Sequence, residues 1–134
     1  MERTLVLIKP DGVKRKLVGE IISYYERKNL KIVDFKLIKA DRETAESHYI
    51  EHKGREYYQS LIDYITEGEI VTILLEGENA IGIVRKINGA TDPLQADSGS
   101  IRGKYAYSKQ RNLVHASDSK ENAKREIDIW FPGI

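Results

Sequence analysis

The sequence has no cysteine, one methionine, one tryptophan and three prolines among 134 residues. Without cysteine there is no disulfide framework, no thiol nucleophile and no cysteine-built zinc or iron–sulfur site. No apolar run approaches the ~18 residues that cross a bilayer. Met1-Glu2-Arg3-Thr4 leads straight into a strand pattern, so neither a membrane segment nor an export signal is expected. A soluble protein of the cytoplasm is the expectation. Excess charge of one sign is also missing: 22 Lys+Arg stand against 21 Asp+Glu, a formal net charge of +1. Such a balance speaks against a generic nucleic-acid binder. With no internal repeat, low-complexity tract or linker, residues 1–134 read as one domain.

The charge that is present is unevenly placed. Lys9, Lys14, Arg15 and Lys16 face only Asp11, and six cations between Arg85 and Asn112 face only Asp92 and Asp97. Those two segments hold +7, and the remaining residues hold −6. Glycines accompany the second segment at Gly89, Gly99 and Gly103. If the two met in the fold they would form a site for an anionic ligand. Scattered surface lysines would look the same by charge alone.

Residues 3–9 read as a strand with both faces covered, stopped by Pro10-Asp11-Gly12. Val18, Ile21, Ile22 and Tyr25 recur at helical spacing within Leu17 to Arg27. Residues 31–39 alternate as a second strand, wetted or at an edge. Asp41 caps a short helix that contains His48 and Tyr49, and Tyr58, Leu61, Ile62 and Ile65 give the stripe of a helix over 56–65. Residues 70–75 form a strand and 78–86 a helix, with Gly82 inside it. Residues 88–112 show no periodicity, and a loop of that length marks function or disorder. A brief strand over 113–115 precedes a final helix, with Ser117, Asp118 and Ser119 as possible caps and Glu121 in capping-box spacing from Asp118. The order β-α-β-α-β-α-β-α implies an α+β fold: a ferredoxin-like α/β sandwich whose four-stranded antiparallel sheet carries its helices grouped on one face.

Gly99-Ser100-Ile101-Arg102-Gly103-Lys104 fails as a P-loop, having three residues between its glycines and Tyr105 where Ser or Thr belongs. His48 and His52 share a helical face at metal-ligand spacing, but no third ligand is evident, and surface or packed histidines explain them as well. His115 is different. It closes an apolar strand, follows the basic segment and precedes a capped helix. A neutral imidazole suits attack on phosphorus near pH 7 without a thiol or metal. It needs a partner for its other ring nitrogen, and Glu126 lies eleven residues on, along a helix that rises about 9 Å from Lys120. A structural role remains open on these grounds alone.

Asn112-Leu113-Val114-His115-Ala116-Ser117-Asp118-Ser119 followed by Glu126 to Phe131 resembles the active-site signature of nucleoside diphosphate kinases. So do Thr4 to Gly12, His48-Tyr49 through Arg55, Gly89 to Pro93, and Gly99 to Gly103, in family order across nearly the whole chain. The resemblance implies transfer of the terminal phosphoryl from a nucleoside triphosphate to a nucleoside diphosphate, by a ping-pong route through a phosphohistidine. It implies His115 as nucleophile, Glu126 on its other nitrogen and Ser117 bonded nearby. It implies Lys9 and Asn112 at the sugar 3′-hydroxyl, Tyr49 among the phosphate and ribose contacts, and Arg85, Thr91 and Arg102 on the other phosphates. Tyr57 would stack on the base, with Leu61 one turn further along the same face. Mg²⁺ would be held mainly by nucleotide phosphates, with no direct protein ligand. No base-edge reader is evident, so broad base and sugar tolerance is expected.

As partners the resemblance implies nucleoside di- and triphosphates and a homo-oligomer built from dimers, a hexamer or alternatively a tetramer. No membrane and no specific nucleic acid are expected. A chain ending three residues after Phe131 is expected to lack an extension joining subunits. Ala116 stands where the family usually has glycine, Tyr57 where it has phenylalanine, Lys109 at an apolar position and Lys104 at an aspartate. The last two keep a rival reading open, a nucleic-acid or regulatory binding module on the same fold.

Overall fold

The apolar run of residues 4–8 is continuous because the strand it forms is packed on both sides. The computed structural model describes residues 1–134, and in it β1 (Glu2–Ile8) is buried from Thr4 onward. Val6 and Ile8 enter one core cluster, while Leu5 and Leu7 point into another, as the two-residue period of a strand requires. Next come α1 (Pro10–Lys14), α2 (Val18–Arg27), β2 (Lys31–Ile38) and α3 (Arg42–His48). A 3₁₀ turn (Ile50–His52), α4 (Tyr58–Thr66), β3 (Ile70–Gly77) and α5 (Ala80–Asn88) follow. The chain finishes with α6 (Ile101–Tyr105), β4 (Val114–Ala116) and α7 (Lys120–Trp130).

The strands form one sheet in the order β2-β3-β1-β4, each neighbour antiparallel. That is the expected ferredoxin-like sandwich, with one correction. The helices cover both faces: α2 and α5 over the Val6/Ile8 side, and α3, α4 and α7 over the Leu5/Leu7 side. The reason is in β1 and β3. Val71, Ile73 and Leu75 alternate with Ile70 and Leu74 into the two clusters, so neither face could stay wet.

Other differences are local. Pro10-Asp11-Gly12, expected only to stop β1, opens α1 with Pro10 at its first position, where a missing N–H costs nothing. The alternation expected for β2 is broken by an irregularity between Ile32 and Asp34. Phe35 and Leu37 then stand 56% and 57% exposed on this edge strand. The segment 88–112 contains α6, too short to show a stripe and capped at its N-terminus by Ser100, which accepts from the Gly103 N–H. A Cβ on Gly103 would lie 1.9 Å from the Asp97 carbonyl oxygen. The cap of α7 is Ser119, which accepts from Asn122 N–H at 3.1 Å, while Asp118 holds the Asn122 side chain at 2.6 Å. No helix is long and apolar enough to cross a membrane.

Two glycines separate packing from propensity. Nothing lies within 4 Å of a Cβ on Gly82, so Gly82→Ala inside α5 should raise the urea-unfolding free energy by up to about 1 kcal/mol. Gly103→Ala should lower it by about 2 kcal/mol or more through the backbone clash.

Candidate active site

Antiparallel pairing sets His115 opposite Leu7, on the α7 side of the sheet. Its neighbours Val114 and Ala116 point into the other core. His115 Nε2 lies 2.9 Å from Glu126 Oε1, and Ser117 Oγ donates to the same oxygen at 2.8 Å. The Leu5 N–H donates to Ser117 Oγ at 3.3 Å, anchoring the group to β1. Glu126 is 5% exposed. A carboxylate acceptor places the imidazole proton on Nε2, which leaves the Nδ1 lone pair for chemistry. Ala116 is not among the residues with positive φ, so its methyl sits on ordinary strand backbone.

Just before β4, Leu113 takes φ +76°, and the Val114 N–H donates to Asn112 O at 2.9 Å across it. This tight turn costs roughly 1–3 kcal/mol for a non-glycine residue. Arg102 holds it. Its Nε reaches Asn112 O at 3.3 Å, Nη2 reaches Val114 O at 2.5 Å, and Nη1 reaches Gly89 O at 2.7 Å. The Lys9 N–H donates to Leu113 O at 2.8 Å. Arg102 thus commits three of its five N–H groups to backbone, with two left for a ligand.

Those residues border a cleft of about 340 Å³. Lys9, Tyr49, Arg85, Thr91, Arg102, Asn112, His115 and Glu126 all line it, so the two basic segments do meet. Lys9 is 8% exposed and donates to Asn112 Oδ1 at 3.1 Å, and Asn112 Nδ2 donates to Thr91 O at 3.2 Å. Burial first, then the neighbouring Arg102 charge, lowers the Lys9 pKa to about 8, while Asp11 opposes the shift. Tyr49 is buried, its hydroxyl has no partner, and its pKa is raised by burial. A buried donor without a partner is costly unless a ligand satisfies it.

Three expected residues stand apart from the lining. Ser117 lies beneath it, behind Glu126. Tyr57 is 47% exposed at the rim, where its Oη sits 2.7 Å from Nδ1 of the lining residue His52. Leu61 packs against the α4 side of the core. Sequence reasoning missed His48, which is 3% exposed with its ring 4.5 Å from the His115 ring. It also missed Arg125, which donates to the Ser47 and His48 carbonyls at 3.0 and 3.3 Å. Arg125 adjoins Glu126 in sequence; the signal at His48 is its spacing from His52, which points to metal ligation and not to His115. Lys104 places its Nζ 5.4 Å from the Tyr105 ring centroid and 6.0 Å from that of Tyr24.

An imidazole with one nitrogen tied to a carboxylate, beside lysine and arginine in a polar cleft, defines a site for covalent transfer of an anionic group. The family model for nucleoside diphosphate kinase matches residues 2–134. A nucleoside diphosphate kinase of Sulfurisphaera tokodaii is 54% identical over 131 residues, covering 98% of this chain and 89% of that protein. One of Methanocaldococcus jannaschii is 53% identical over 130 residues, covering 97% and 93%. The crystal structure of the enzyme from Encephalitozoon cuniculi superposes with a TM-score of 0.96 at 36% identity, over 98% of this chain and 90% of that one. The chain belongs to the nucleoside diphosphate kinase family, whose members bind nucleotides and move a terminal phosphoryl between them in two half-reactions through a phosphohistidine.

Two variants probe the cations. Arg102→Ala should cost the ligand-free protein roughly 2–3 kcal/mol in urea unfolding, because three carbonyls lose their donor. An unchanged midpoint would mean the clamp holds nothing. Lys9 binds its proton less tightly folded than unfolded, so the unfolded chain carries the excess proton between about pH 8 and 10.5. Native stability therefore rises with pH through that window. Lys9→Met should abolish that part of the rise and stabilise the ligand-free protein near pH 7, while phosphotransfer falls.

Proposed function

We propose that this chain is a nucleoside diphosphate kinase with His115 as its nucleophile. The observation that carries the reading is the Glu126 carboxylate on His115 Nε2 at 2.9 Å. With that nitrogen occupied, Nδ1 attacks the terminal phosphorus of a nucleoside triphosphate. The N–P bond forms as the bond to the bridging oxygen breaks, and the diphosphate leaves. A second nucleoside diphosphate then binds in the same cleft, and its terminal oxygen takes the phosphoryl back. Lys9, Arg85 and Arg102 neutralise charge on the phosphates, which is most of what phosphoryl transfer asks of a protein. Arg85 is exposed and its guanidinium makes no hydrogen bond within the protein, and Thr91 is exposed beside it in the lining. Lys9 and Asn112 hold the sugar 3′-hydroxyl, and the unpartnered Tyr49 hydroxyl reaches the phosphates or ribose.

Tyr57 at the rim stacks on the base, with Leu61 behind it. Contact with a π-face does not read base edges, so purines and pyrimidines, ribose and deoxyribose are all accepted. Nucleotide kinases use a divalent cation, and here the donor set fits Mg²⁺ carried on phosphate oxygens. The acidic groups lining the cleft are already engaged: Glu51 lies 3.7 Å from Arg125, Asp118 accepts from Asn122, and Glu126 accepts from Ser117. The ion would lessen the negative charge of the phosphate chain when bound. The subunits assemble as a homo-oligomer built from dimers, a hexamer with a tetramer as the alternative. The exposed Phe35 and Leu37 on edge strand β2 support such contact between copies. The protein works in the cytoplasm.

Incubation with γ-labelled ATP should leave one acid-labile, base-stable phosphate per subunit, and GDP should then remove it. His115→Ala should take no label. Transfer to GDP by that variant would overturn the assignment. Glu126→Ala should slow labelling less than loss of His115 does, by about 10²-fold or more; a rate equal to wild type would remove its role in holding the ring.

A further inference from the structure

Behind the nucleophile, three aromatic rings stand in line. The Trp130 Nε1–H donates to His48 Nδ1 at 3.0 Å, and the two ring centroids are 5.6 Å apart. The His48 ring in turn meets the His115 ring nearly at right angles, at 79° with centroids 4.5 Å apart. Tyr49 closes one side of His48 edge-on at 4.7 Å. Trp130 and His48 are 4% and 3% exposed, so water does not substitute for these contacts.

An indole nitrogen can only donate. His48 Nδ1 must therefore be bare, and the one proton of the ring must sit on Nε2. A second proton has no place, because protonating Nδ1 would set two N–H groups head to head in a buried site. Burial and the charges of His115, Arg125, Lys9 and His52 act in the same direction, holding the His48 pKa well below the usual 6.5. The Glu126 carboxylate lies close by. A ring nitrogen of His48, a ring nitrogen of His115 and a Glu126 oxygen lie within 4.8 Å of one another. Two histidines and a carboxylate are a common ligand set for zinc, and zinc on His115 would silence a nucleophile. Here the set is disarmed. The Nδ1 lone pair of His48 is covered by the indole and its Nε2 carries the proton, so neither nitrogen can ligate.

We propose that His48 is a positioning residue for His115: the Trp130 indole holds it neutral in the Nε2–H form, where it braces the nucleophile's ring and keeps the His48–His115–Glu126 trio from chelating a transition metal. The proposal rests on His115 being the nucleophile. Misplacing a reacting atom by about 1 Å can cost on the order of 10²-fold in rate, and a rigid, uncharged wall against the His115 imidazole guards against that.

The tautomer is read directly by ¹⁵N NMR on the ligand-free wild-type protein. His48 should be protonated on Nε2 alone and should not change between about pH 5.5 and 8, the range in which an ordinary histidine titrates. An Nδ1–H form, or a His48 that titrates there, overturns the proposal. Trp130→Phe keeps an aromatic ring and removes the N–H. Its single-turnover phosphorylation by ATP should slow about tenfold at unchanged half-saturating nucleotide. It should also become at least about tenfold more sensitive to added Zn²⁺, reversibly with a chelator. His48→Phe should slow phosphorylation similarly without gaining zinc sensitivity. Wild-type rates in both variants, weakened nucleotide binding at wild-type rate, or a zinc response in Trp130→Phe no greater than in wild type each contradict it. Should His115→Ala still accept phosphate, the reading of the nucleophile fails whatever His48 does.

Discussion

A single carboxylate oxygen, Oε1 of Glu126, serves both His115 Nε2 and Ser117 Oγ, and the site is arranged around that sharing. It ties α7 to the short strand β4, and through Ser117 to the Leu5 amide of β1. Three strand residues could not fix the orientation of a half-buried imidazole alone. The carboxylate fixes it and decides which nitrogen holds the proton. Because Glu126 is buried, its bonds act in a low-dielectric setting where an unpaired charge would be costly. The helix that delivers it also delivers Trp130, whose indole fixes the next histidine inward. One face of α7 therefore sets the tautomer of two imidazoles.

The opposite wall of the cleft is cationic and less comfortable. Lys9 is buried with a lowered pKa, and Arg102 spends its donors on a turn held at a positive φ of 76°. The buried Lys9 charge and the strained turn cost stability in the ligand-free protein, and the Arg102 bonds offset part of the second cost. Bound phosphates would supply what Lys9 and the unpartnered Tyr49 hydroxyl lack. The net charge of +1 hides this arrangement because the rest of the chain is acidic. Arg102 has two duties on this account, holding the turn with three N–H groups and meeting phosphate with two.

Features carried by local pattern were legible in the sequence. The double-sided burial of β1, the stripes of α2 and α4 and the Asp41 cap follow from spacing and residue type, whereas spacing only allowed the pairing of His115 with Glu126 and the family resemblance implied it. What escaped depended on distant partners. His48 reads only as a surface or packed histidine until Trp130, 82 positions away, is brought against it. The guanidinium of Arg102 is bound by backbone carbonyls, which every residue has and no motif marks. Helix α6 is five residues started by one capping serine, too short for a periodic signal. The placement of helices on both faces was implicit in the two-sided strands, but the grouping on one face was drawn from the fold type instead.

The central claim is that Glu126 occupies His115 Nε2 and so directs the phosphoryl to Nδ1. Its most direct test is the position of phosphorus in the phosphoenzyme, read by ³¹P–¹⁵N correlation NMR on protein labelled at histidine and treated with ATP. The account predicts phosphate on Nδ1 of His115 with Nε2 still protonated. Phosphate on Nε2, or on another histidine, would contradict it.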